Sequence, residues 1–158
     1  MPLEAVALGS DDLGFALKEE LKTYLAELGV EVVDFGCHDP SPVDYPDVAK
    51  DVAQAVAEGR FGRAILVCGT GIGMAIAANK VRGVRAASVS DPYSAERARK
   101  SNDAQVLCLG SRVVGAELAK VLVDHWLASE FAGGRSGRKV AKIIAMDRRG
   151  MPGARATS

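Results

Sequence analysis

No stretch of this 158-residue chain is apolar for long enough to cross a bilayer as a helix, so no membrane role is expected. Charge of one sign is missing too: 20 Lys and Arg stand against 20 Asp and Glu. A balanced surface makes no electrostatic case for a nucleic-acid partner or an anionic membrane. The run from Met1 to Gly9 has no basic region and no small-residue cleavage site, and no signal peptide is expected. Cysteine is scarce and odd in number. Cys37, Cys68 and Cys108 are widely spaced, which argues against a disulfide framework, and no pair has metal-ligand spacing. No metal is expected, and a reducing cytoplasm is the simplest compartment. Histidine is limited to His38 and His125. Internal repeats, low-complexity segments and signs of a second domain are all lacking. Residues 1–148 read as a single domain and 149–158 as a flexible tail. The arginines that gather late in the chain (Arg135, Arg138, Arg148, Arg149, Arg155) fit a solvated helix face and a frayed end.

What is present is an alternation of strands and helices. Glu4 to Gly9 reads as a short buried strand, and Asp11 or Asp12 is placed to cap the helix that follows. In that helix Leu17, Leu21, Tyr24, Leu25 and Leu28 share one face, and Gly29 ends it. Further strands are expected at Val30–Phe35, Arg63–Cys68, Val84–Val89 and Val106–Leu109. Helices are expected around Val48–Val56, from Met74 to Lys80, from Pro92 to about Lys100, from Gly115 to Ser129 and from Lys139 to Arg148. This order predicts an α/β fold: a three-layer αβα sandwich on a five-stranded parallel sheet. Right-handed crossovers then put every strand-to-helix loop at one end of the sheet, where ligands bind in such folds. Those loops are Ser10–Gly14, Gly36–Asp47, Cys68–Gly73, Ser90–Tyr93 and Gly110–Arg112.

The richest of them is Cys68-Gly69-Thr70-Gly71-Ile72-Gly73. Its glycines permit a sharp turn that exposes N–H groups at a helix start, an arrangement that holds anions. It is not a P-loop, because no Gly-Lys-Ser/Thr follows. It is a poor dinucleotide fingerprint, because Met74 stands where the last glycine or alanine belongs. A thiol at such a junction is of the kind that ionises readily. The alternative is that Cys68 is simply a small buried residue ending a strand.

Several motifs in order make the chain recognisable: Gly9-Ser-Asp, Asp44-Tyr45-Pro46, Cys68-Gly-Thr-Gly-Ile-Gly, Ala77-Ala-Asn-Lys80, Tyr93-Ser-Ala-Glu-Arg97, Asn102-Asp103, Gly110-Ser-Arg-Val-Val-Gly115 and Gly133-Gly-Arg135. From about Ala5 to Ile144 the chain resembles the ribose-5-phosphate isomerase B family, which also includes the galactose-6-phosphate isomerase subunits. The resemblance implies a Rossmann-like sheet and a sugar-phosphate substrate. It also implies a cofactor-free, metal-free aldose–ketose isomerisation through a cis-enediolate, in a homodimer or tetramer with shared sites. Carried over by residue, Cys68 resembles the base and Thr70 the group that orients it. The backbone of Gly69, Gly71, Ile72 and Gly73 resembles the anion hole. Asp11, Tyr45 and Asn102 resemble the sugar-hydroxyl contacts, and Asp12 and Ser101, which differ from the family's residues, are expected to bind substrate beside them. Arg112, Arg135 and Arg138 or Lys139 resemble the phosphate ligands. Preorganised donors suit an enediolate oxygen, and an arginine fork suits phosphate. Each residue also has a plain structural alternative: Tyr45 as a packing aromatic, Asn102 as a helix-end cap, Arg112 as a surface ion-pair member.

Two departures from the family pattern carry information. The first loop has Asp11-Asp12 where Asp-His is usual, and Ser101 stands where the resemblance implies a histidine that opens the furanose ring. His38 lies in a loop that can reach the site, whereas His125 reads as a packing or surface residue. A tetrose 4-phosphate cannot close a furanose ring, because its C4 oxygen is esterified, so its isomerase needs no ring-opening group. A subgroup of the family that serves tetritol breakdown is similar here, with serine before the asparagine and a run like Gly134-Arg135-Ser136. The expected substrate pair is therefore D-erythrulose 4-phosphate and D-erythrose 4-phosphate, with ribose 5-phosphate as the alternative. A second function class is a non-catalytic sugar-phosphate or nucleotide-binding module that kept the fold after losing its histidines.

Overall fold

The computed structural model describes residues 4–148. The expected tail, with Arg149 and Arg155, lies outside the described residues. Eleven elements follow in strict alternation until the last: β1 (Val6–Ser10), α1 (Phe15–Glu27), β2 (Val32–Asp34), α2 (Tyr45–Ala57), β3 (Arg63–Cys68), α3 (Ile72–Ala78), β4 (Ala86–Ser88), α4 (Pro92–Lys100), β5 (Val106–Gly110), α5 (Ala116–Leu127) and α6 (Gly134–Met146). The strands form one parallel sheet in the order β2-β1-β3-β5-β4.

Period-two alternation sorts the sheet residues into two cores. Val6, Leu8, Ile65, Val67, Leu107 and Leu109 face a layer made by α1, α4 and α5, whose contributions include Leu21, Ala98 and Trp126. Ala7, Ala64, Leu66, Cys68, Val106 and Cys108 face α2 and α3, which supply Val52, Ala53, Met74 and Ala78. The fold is thus a Rossmann-like αβα sandwich, and the alternation commits the side chain of Cys68 to the α2–α3 side.

Four elements differ at their boundaries from the sequence-based expectation. The edge strands β2 and β4 are only three residues long, and short edges offer little unpaired backbone to other chains. Neither aspartate caps α1. Gly14 is its N-cap, and Asp11 instead accepts from the Gly14 N–H at 2.9 Å, holding the turn that leads into the helix. The last helix begins at Gly134, five residues before the expected Lys139. Gly133 and Gly134 take positive φ angles of 68° and 57°, a reversal that side chains resist. The helix starts inside the glycine pair, and Arg135, Arg138 and Lys139 all lie in its first two turns.

Candidate active site

Cys68 ends the central strand and is 4% exposed. The chain turns there through Gly71, whose φ of +79° only glycine adopts without strain. That turn aims the Gly71 N–H back at Cys68 Sγ, 3.1 Å away. The N–H dipole is placed to stabilise negative charge on the sulfur or on an oxygen bound beside it. Thr70 Oγ1 accepts from the Ile72 N–H at 3.2 Å, which completes the start of α3.

Two neighbouring loops brace this turn. From the loop after β5, Ser111 donates its N–H to Cys68 O at 2.8 Å and Arg112 donates its N–H to Gly69 O at 3.0 Å. The exposed Arg112 side chain runs beside Gly69, together with Leu13. On the other flank the Tyr45 ring lies directly on Gly73, where an added Cβ would come within 2.5 Å of two ring carbons. Tyr45 is 39% exposed, so one side of the ring packs and the other remains open.

The two aspartates of the first loop do different work. Asp11 is buried, and burial pushes its carboxyl above the usual range against the pull of the Gly14 N–H. Asp12 Oδ1 accepts from the Val43 N–H at 3.1 Å and so ties the first loop to the segment that carries Tyr45. His38 is exposed at the same end of the sheet with its ring beside Gly36. His125 is exposed on α5.

A residue with no assigned role in the sequence reading supports this end of the molecule. Lys18 is fully buried, and its Nζ meets both carboxylate oxygens of Asp34 at 2.8 Å and the carbonyl of Cys37 at 2.5 Å. Burial works against the charge on Asp34. Lys18, the Gly36 N–H and Lys22 outweigh it and hold the carboxyl below its usual range. Cys37 in turn donates its N–H to Ser10 O at 2.7 Å, next to Asp11. The clamp therefore fixes the ends of β1 and β2 together. Its signal was in the sequence: position 18 falls on the same helix face as Leu21 and Leu25.

The remaining expected site residues lie at the other end of the sheet. Because α4 runs back against its strand, Ser101 and Asn102 follow it at the amino ends. The Asn102 carbonyl accepts from Arg85 Nε at 3.1 Å, and Arg85 directly precedes β4. Ala132 donates its N–H to Lys100 O at 3.1 Å, which anchors the start of α6 beside Ser101. The Gly83 N–H donates to Asp147 Oδ2 at 2.9 Å, so the far end of α6 is tied to the same pole. Exposed Arg135, Arg138 and Lys139 thus accompany Ser101 and Asn102. The register pairs Cys68 with Gly110 and Ala64 with Val106. Four residues at about 3.3 Å each separate those levels, so the two groups are roughly 13 Å apart along the strands. One chain does not bring them together.

The family described as Ribose/Galactose Isomerase matches residues 6–143. The chain belongs to that family. It is 49% identical to ribose-5-phosphate isomerase B of Escherichia coli, over 93% of this chain and 99% of that protein. It is 51% identical to D-erythrulose-4-phosphate isomerase of Pectobacterium atrosepticum, over 88% of this chain and 92% of that one. The solved structure of ribose-5-phosphate isomerase B from Clostridium thermocellum superposes with a TM-score of 0.90 at 48% identity, covering 92% and 98% of the two chains. Membership makes the chain an aldose–ketose isomerase. Among the described residues, no helix is long and apolar enough to cross a membrane.

Proposed function

We propose that this isomerase interconverts D-erythrulose 4-phosphate and D-erythrose 4-phosphate in the cytoplasm, at sites completed by a second copy of the chain. The observation that carries the reading is Ser101, at the position where the family resemblance implies a ring-opening histidine. A tetrose 4-phosphate is already open, so the step that histidine serves does not arise. Resemblance to a D-erythrulose-4-phosphate isomerase supports the same reading. The three cysteines are free and buried, in keeping with a reducing compartment.

In this mechanism the Cys68 thiolate removes a proton from C1 of the ketose. Negative charge develops on the carbonyl oxygen and is met by N–H groups of Gly69, Gly71, Ile72 and Gly73. Thr70 orients the base and the carbonyl end. A proton passes from the C1 hydroxyl to the C2 oxygen, the thiol returns its own proton to C2, and the electron pair on the C1 oxygen closes to the aldehyde carbonyl. Asp11, Tyr45 and Asn102 hold the sugar hydroxyls. Arg112 and Arg135, with Arg138 or Lys139, hold the phosphate, whose binding energy orients the reacting carbons. Asp12, which the sequence reading set among the sugar-binding positions, acts by holding the Tyr45 segment.

The second copy follows from the separation of the two residue groups. A two-fold partner sets the amino pole of each chain against the carboxyl pole of the other and makes two equivalent sites. Exposed apolar side chains support such contact: Ile72 and Ile76 on α3, and Ile143, Ile144 and Met146 on α6.

The deciding experiment compares kcat/KM on erythrose 4-phosphate and ribose 5-phosphate. A preference for the four-carbon sugar is expected, and a clear preference for ribose 5-phosphate overturns the substrate assignment. A chain that binds these phosphates without turning either over would be the non-catalytic module.

A further inference from the structure

The Ser101 hydroxyl is held by a neighbour. Arg97, one turn earlier on α4, donates its Nε–H to Ser101 Oγ at 2.8 Å. The same two residues are joined through the backbone, where Ser101 donates its N–H to Arg97 O at 2.8 Å. The backbone bond closes the last turn of α4, and the side-chain bond holds the hydroxyl oxygen. Among the described residues that hydroxyl makes no other hydrogen bond, so its proton remains available to donate.

The guanidinium has no tight carboxylate to draw it away. Its Nη1 lies 3.8 Å from Glu96 Oε1, and the same carboxylate oxygen is nearer to Lys100, at 3.5 Å. The bond to Ser101 is therefore Arg97's shortest side-chain polar contact. A hydroxyl that accepts from a cation is polarised into a better donor.

We propose that Arg97 is a positioning residue that turns Ser101 into a fixed hydrogen-bond donor for a substrate oxygen. This rests on the reading that Ser101 meets substrate in a site completed by a second copy.

A double-mutant cycle tests the proposal, with Arg97→Leu, Ser101→Ala and the combined variant assayed on erythrose 4-phosphate. Each single change should lower kcat/KM by about tenfold, with the combined variant no worse than Ser101→Ala alone. Losses that multiply instead, or no loss in Arg97→Leu, would overturn it. Melting temperatures are followed in parallel, because a merely structural arginine lowers stability without this coupling.

If the unmodified enzyme prefers ribose 5-phosphate, the four-carbon reading falls, and the cycle is run on ribose 5-phosphate, where coupling upholds positioning by Arg97 and additivity ends it.

Discussion

The two ends of the sheet are built by different means. At the carboxyl end, Cys68, Thr70, Tyr45, Arg112 and both first-loop aspartates are drawn together by backbone hydrogen bonds between loops, over a buried Lys18–Asp34 clamp. At the amino end, Ser101, Asn102 and the α6 cations sit on helix ends. They are tied mainly by long side chains: Arg97 to Ser101, and Arg85 to Asn102 and Asp103. Only Val140 of α6 is buried. The first end is a cradle braced from several sides by backbone hydrogen bonds. The second is a set of polar arms that makes sense once a neighbouring surface presses against it. In the proposed mechanism the proton transfer falls to the first end, which also offers Asp11, Tyr45 and Arg112 to the substrate, and the second end adds Asn102 and the α6 cations.

The sharpest way to break this contrast is at Cys68. Cys68→Ala should cut kcat by roughly a thousandfold or more while leaving the melting temperature close to that of the parent. Full activity in that variant would remove the base from the first end. Loss of the parent's activity with a chelator would point to metal chemistry that the proposed mechanism does not contain.

Arg135→Ala should lower kcat/KM roughly a hundredfold. Its more telling use is in combination. Co-expressed chains carrying Cys68→Ala and Arg135→Ala should regain up to about a quarter of the parent activity, because half of the pairs are mixed and each mixed pair holds one intact site. No recovery would mean that both residues serve the same chain's site.

Lys18→Met keeps the side-chain volume and removes the charge that faces Asp34. It should cost about 3 kcal/mol in a denaturant titration. Asp12→Ala should raise KM roughly fivefold with little change in unfolding, because it frees the Tyr45 segment and leaves the core untouched.

The smallest effect is expected at Asp11. Its carboxyl is raised by burial, so the folded state holds the proton more tightly than the unfolded state does. Native stability is therefore unaffected below the ordinary carboxylate range and falls as pH rises through the folded value. Asp11→Asn keeps the acceptor for the Gly14 N–H and removes that penalty. It should melt slightly higher than the parent at neutral pH and the same in acid, while losing activity. A lower melting point at neutral pH would show the buried charge to be stabilising.

Most of the fold was legible in the chain because the sheet is buried on both sides. Apolar runs such as Arg63–Cys68 leave little doubt about strand identity, and Pro92 marked the start of α4 to the residue. The order of β4 and β5 was not legible, since both edges would satisfy the same pattern. The start of α6 escaped because glycines argue against a helix unless a positive φ lets one begin among them. Lys18 has no place in the sequence-based expectation, although it shares a face with Leu21 and Leu25. The expectation of shared sites did not extend to the placement of Ser101 and Asn102 at the other end, although that placement was readable. In a strand–helix alternation, residues after a helix lie at the opposite end from residues after a strand. Ser101 and Asn102 follow α4, whereas Cys68 ends β3.

That opposition has a consequence for the enzyme as a population of molecules. If neither end suffices alone, a newly made chain is inert until it meets another, however well it has folded. Specific activity should then depend on how much protein is present. On dilution toward the dissociation constant it should fall and show a lag before turnover recovers on reconcentration. The rate at high dilution should grow as the square of the protein concentration, a kinetic order that no self-sufficient chain displays.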